Sequence, residues 1–172
     1  ATKINATLRV IGEKGQYYVE DDYWNTKSSL EQQDILQQIG KLSDEFDKNI
    51  YPKETDFWGS DWTPGIDNDP KIVILLANLI DTAGGYYDTG NQYAKTRVPE
   101  SNEKDMIYLN VRTLRNENRI FSFLAHEFQH LISFNQKVEH PIEVGLSSAN
   151  TMRLTEKEIL ALINDPPQEE RV

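Results

Sequence analysis

The chain has 172 residues, 38% apolar and 27% charged, with 18 Lys plus Arg against 28 Asp plus Glu and a formal net charge of −10. That length suits one domain with a real core, and an acidic chain with no basic stripe is a poor partner for nucleic acid or anionic lipid, where phosphates need cations. Cysteine is absent, which removes disulfides, thiolate metal sites and cysteine nucleophiles together; the longest apolar run, residues 72–77, is far below the roughly 20 residues of a membrane span.

Residues 1–10 (ATKINATLRV) carry no basic segment followed by an apolar run, so a signal peptide is expected to have been removed or never to have existed. Residues 6–10 and 16–20 read as short strands around the turn residues Gly12 to Gly15, a hairpin. The clearest helix follows. Ile35, Ile39, Leu42, Phe46 and Ile50 recur at three- and four-residue steps, Ser28 and Glu31 form a capping box at its start, and Pro52 is expected to stop it.

Residues 56–70 form a long loop whose Trp58 and Trp62 are expected to cover the core. Asp67, Asn68 and Asp69 could hold calcium, although the glycine and distal glutamate of an EF-hand loop are missing. The unbroken apolar run within residues 71–80 predicts a strand covered on both faces. Residues 81–105 are expected to be loop with turn points at Gly84, Gly85 and Gly90, and residues 106–110 a second short strand at the sheet edge, with Tyr108 a core ring. A capping box at Thr155 and Glu158 predicts a last helix through Asn164, ended by Pro166 and Pro167.

The chemistry concentrates in residues 119–134, RIFSFLAHEFQHLISF. Ile120, Phe123, Leu124, Leu131 and Phe134 give this stretch the buried flank of a helix. On it, His126, Glu127 and His130 form His-Glu-x-x-His. Residues four apart on a helix differ by about 40° around the axis and about 6 Å along it, so the two imidazoles converge on one point. One divalent ion can take both, and Glu127 is then the carboxylate that accepts a proton from the ion's water and passes it to a leaving amine. Two of the chain's three histidines are spent here, which makes chance an unlikely origin. The plainer alternative is a histidine pair on an ordinary amphipathic helix.

A catalytic zinc takes three protein ligands and keeps one position for water. A third histidine six residues after His130 is ruled out, because that position is Gln136 and the glycine expected at 133 is Ser133. A glutamate from a later helix remains, as in thermolysin-type sites. By chemistry alone the candidates are Glu139, His140, Glu143, Glu156 and Glu158. His140 is also a candidate partner for a developing oxyanion.

The segments YYVEDDYW, EFDKNIYPKETDFWGSDWTPGIDNDPKIVILL, GGYYD, SNEKDMIYLNV and LAHEFQHLISFNQ, in that order, resemble the hyicolysin-type neutral zinc metallopeptidases of bacteria over about residues 19–136. The resemblance implies an α+β, zincin-like fold of thermolysin type, a mixed sheet packed on an active-site helix. It implies one catalytic domain over residues 1–172, with 137–172 a shortened C-terminal part. It further implies a secreted or envelope-associated endopeptidase acting on protein or peptide substrates, with His126 and His130 as zinc ligands and Glu127 as general base; such a chain is expected to be a monomer. In such families the third ligand is the glutamate of a Leu-Asn-Glu-Gly-Leu-Ser-like stretch. The nearest match is Glu143-Val144-Gly145-Leu146-Ser147, and alignment on Gly-Leu-Ser puts Val144 at the ligand position. Either Glu143 reaches the metal after a one-residue adjustment, or the ligand is absent and the chain is a zincin-derived binding or adhesion domain. A metal-dependent hydrolase of non-peptide substrates shares the motif.

Overall fold

The computed structural model describes residues 3–79 and 83–138. The expected last helix, residues 155–164, lies outside them. β1 (Ala6–Ile11) and β2 (Gly15–Glu20) form the antiparallel hairpin that the sequence predicts, closed by Gly12 N–H donating to the Gly15 carbonyl at 2.8 Å. A short α1 (Asp21–Asn25) leads into α2 (Ser29–Glu45). Its capping box is present, Ser28 Oγ accepting from Glu31 N–H and the Glu31 carboxylate accepting from Ser28 N–H.

Pro52 does not stop the helical run. A π turn over Phe46–Ile50 widens the backbone, Tyr51 N–H bonding the Phe46 carbonyl, and α3 (Tyr51–Trp58) starts afresh with Pro52 in its first turn. There a proline costs little, since first-turn N–H groups lack helical partners anyway. The same turn aims Asp47 at the hairpin, where its carboxylate accepts from Glu13 N–H at 2.8 Å and Lys14 N–H at 2.9 Å.

β3 (Ile72–Ala77), β4 (Gly85–Tyr87) and β5 (Met106–Asn110) complete a mixed sheet in the order β1-β2-β3-β5-β4. β2, β3 and β5 run parallel, and the outer strands β1 and β4 are antiparallel to their neighbours. Two sequence expectations are corrected here. Residues 81–105 contain a strand, β4, and residues 106–110 lie inside the sheet rather than at its edge. β4 has three residues, too few for a hydrophobic period, and it joins the sheet through its backbone.

One face of the sheet meets the helices. Ile74, Leu76, Ile107 and Leu109 pack with Ile35, Ile39, Leu42 and Phe46 and with residues of α4 (Glu117–Val138). The other face holds Val73, Leu75, Ala77, Met106 and Tyr108, which explains the unbroken apolar run of β3. Tyr108 is a core ring as expected, its hydroxyl accepting from the side-chain amides of Asn91 and Asn102. Trp58 packs on the main core, and Trp62 is half-buried. Among the described residues, no helix is long and apolar enough to cross a membrane.

Candidate functional site

Asn116 precedes α4, its side chain accepting from Arg119 N–H at 3.2 Å, and the helix runs for 22 residues. Ile120, Leu124, Phe128 and Leu131 are almost wholly buried along one flank, which anchors the helix against the sheet and α2. Phe128 is fixed between Phe46, edge-on at 5.1 Å, and Tyr51, stacked at 5.4 Å.

This anchoring leaves His126 exposed and His130 partly exposed on the adjoining face. Their rings stand at 87° with centroids 4.6 Å apart, and the two Nε2 atoms approach to 3.1 Å. Nitrogens at that separation can share a proton, or can both touch one zinc ion at bond lengths of about 2.0–2.1 Å. The donor set and its spacing therefore fit the metal that the motif implies.

Glu127 turns the other way, toward the sheet, and is 8% exposed. Burial pushes its carboxyl up to about 7, where it can both take and give a proton near neutral pH. Above it runs β4. Asn110 holds the approach to this strand, its backbone N–H donating to the Gly84 carbonyl and its side-chain amide to the Ala83 carbonyl, both at 2.9 Å.

Gln136 is tied elsewhere. Its amide donates to the Ser60 carbonyl at 2.6 Å and lies against Gly59, whose φ of +103° suits a residue without a side chain. Among the described residues, no three His, Asp or Glu side chains converge into a metal site. Glu139, His140, Glu143, Glu156 and Glu158 all lie outside the described residues.

The proposed calcium ligands are engaged with the protein. Asp67 pairs with Lys104 at 2.7 Å, and Asp69 accepts from Gln16 Nε2 at 2.8 Å and from Lys71 N–H at 2.9 Å. The segment 67–69 thus braces a loop, and among the described residues no three His, Asp or Glu side chains converge there.

Sequence reasoning read Gly84 and Gly85 as turn points and missed that Gly85 opens β4, with no room for a Cβ beside the Tyr108 carbonyl oxygen; the signal available was a Gly-Gly pair directly before two aromatic residues. It also missed a buried polar chain beside β5. The Tyr87 hydroxyl donates to Gln92 Oε1 at 2.6 Å, and the Gln92 amide donates to Asp105, a carboxyl that is 5% exposed.

No protein-family model matches the chain. It is similar to the neutral metalloprotease ShpI of Staphylococcus hyicus, 28% identical over 166 residues that take in 86% of this chain and 34% of the relative. The chain thus spans about a third of the length of that curated relative.

Proposed function

We propose that the protein is a zinc-dependent endopeptidase of zincin-like architecture, cleaving a protein or peptide chain laid along β4. One helical turn carries the reading: two imidazole nitrogens 3.1 Å apart with a buried carboxyl, held near neutrality, between them in sequence. The distant likeness to a protein named a neutral metalloprotease supports it.

His126 and His130 would hold the ion, with Glu143 as third protein ligand and one position left for water. Bound zinc supplies Lewis-acid polarisation of the scissile carbonyl and makes its water more acidic. Glu127 would act as the proton carrier, accepting a proton from the attacking water and returning it to the leaving amine. β4 ends the sheet, and the alternation of an antiparallel pair turns the Gly85 N–H and C=O away from β5. An extended peptide pairing with that edge is aligned by its main chain, whatever its sequence. A secreted or envelope location follows from the same family resemblance.

The competing reading is a binding or adhesion domain with an incomplete zinc site, favoured by Val144 at the aligned ligand position. Stoichiometric zinc that survives dialysis counts against it. The test of the enzyme reading is cleavage of a denatured protein substrate by the chain and by its Glu127→Gln variant, with and without chelator. Chelator should abolish cleavage and Glu127→Gln should lower it by about 10²–10⁴-fold. Unchanged cleavage in both experiments contradicts the proposal.

A further inference from the structure

Gly84, just before β4, and Gly85, its first residue, lie over Phe123 and Glu127 of α4, which are one helical turn apart. A Cβ placed on Gly84 would come 2.2–2.4 Å from the end of the Phe123 ring. A Cβ on Gly85 would come 2.7 Å from the Tyr108 carbonyl oxygen, 2.9 Å from Leu109 Cδ2 and 3.3 Å from Glu127 Cγ. Real side chains essentially never approach a backbone oxygen that closely, so the strand would have to lift.

Neither glycine needs its backbone freedom in this structure, because among the described residues the left-handed glycines are Gly59 and Gly65. What these positions require is the missing side chain. The backbone at Gly84 and Gly85 therefore lies close over the helix at two points, Gly84 over the end of the Phe123 ring and Gly85 over the Glu127 Cγ methylene that carries the carboxylate. Tyr86 faces the other way and stacks on Tyr108 at 4.2 Å, so no side chain of β4 separates the sheet edge from Glu127 at this point.

From this we infer that Gly84 and Gly85 are positioning residues for hydrolysis: their bare backbone sets the distance between the edge strand and the Glu127 carboxylate. The inference rests on the endopeptidase reading and adds to it the element that fixes where a substrate strand sits above the base. A reactant misplaced by about 1 Å can cost on the order of 10²-fold in rate, so the spacing should be visible in kcat.

The experiment compares Gly85→Ala, Gly84→Ala, the double variant Gly84→Ala with Phe123→Leu, and Gly12→Ala. Gly12 is the control. Its added Cβ would collide with Ser43 Oγ, but it lies in the hairpin at the opposite edge of the sheet. Peptide cleavage supplies kcat and KM, and hydrogen exchange of the metal-free chain supplies a readout independent of activity.

Gly85→Ala should lower kcat about 10- to 100-fold with zinc content unchanged, and should speed exchange at the Tyr86 and Tyr108 amides. Gly84→Ala should do both more weakly, and Phe123→Leu should restore both, because the ring end it meets is then gone. Gly12→Ala should lower stability yet keep kcat and the exchange at those two amides. Wild-type kcat in Gly85→Ala overturns the inference, as does failure of Phe123→Leu to restore Gly84→Ala or an equal kcat loss in Gly12→Ala. If the parent chain shows no Glu127-dependent cleavage, the endopeptidase reading itself fails, and this inference with it.

Discussion

The Nε2 atoms of His126 and His130 lie 3.1 Å apart on rings set at 87°, both reachable from solvent, while Glu127 and Phe128 of the same helical turn are buried. Such a pair adds little to folding in the absence of a metal. His126→Ala should change the stability of the metal-free chain by no more than about 0.5 kcal/mol, while removing its ability to retain zinc through dialysis. Urea unfolding of the metal-free chain and metal analysis of the dialysed chain check the two halves separately.

If Glu143 completes the site, its loss should weaken zinc without disturbing the helix. Glu143→Ala should reduce zinc affinity by about tenfold or more, measured by competition with a chelator of known affinity. Equal affinity in Glu143→Ala and in the parent would remove Glu143 from the ligand set and leave Glu139 or His140 to be tried in turn.

Asp105 makes a prediction about pH. Burial, with Asp67 and Asp61 nearby, raises its carboxyl to about 6 despite the bond from Gln92. The folded chain then holds this proton more tightly than the unfolded chain does. Its stabilising effect is complete below about pH 4 and is lost as pH rises through about 6, a change on the order of 3 kcal/mol. Glu127 contributes with the same sign, so the measurement is made in a Glu127→Gln background. Urea midpoints there should fall between pH 4 and 6.5, and Asp105→Asn should flatten that decline.

The π turn leads to a prediction about the hairpin. Asp47 accepts two backbone N–H groups from the β1–β2 turn, and removing its carboxylate leaves both donors without that partner. Asp47→Ala should cost about 1–3 kcal/mol, and Asp47→Asn, which keeps one carbonyl oxygen, roughly half of that. Equal stability of all three chains in urea would contradict the assignment of Asp47 as the anchor of the hairpin.

The sequence was most legible where the relevant contacts are local. The stripe from Ile35 to Ile50, the run of β3 and the hairpin around Gly12 to Gly15 announce themselves by period and turn chemistry. His126, Glu127 and His130 share one helical turn, so spacing alone places them together. Strand order is another matter. Residues 106–110 look like any short strand, and only their pairing with both β3 and β4 shows that they are interior. Pro52 was misread because a π turn upstream changes which helical position it occupies. Gly84 and Gly85 acquire meaning only once Phe123 and Glu127 are packed beneath them.

The most direct test is zinc-edge X-ray absorption on the chain loaded with one equivalent of zinc and dialysed. The account predicts an ion retained with imidazole scattering from two rings at about 2.0–2.1 Å, and loss of that signal in His126→Ala and in His130→Ala. Zinc that washes out of the parent chain, or an ion whose shell contains no imidazole, would contradict it.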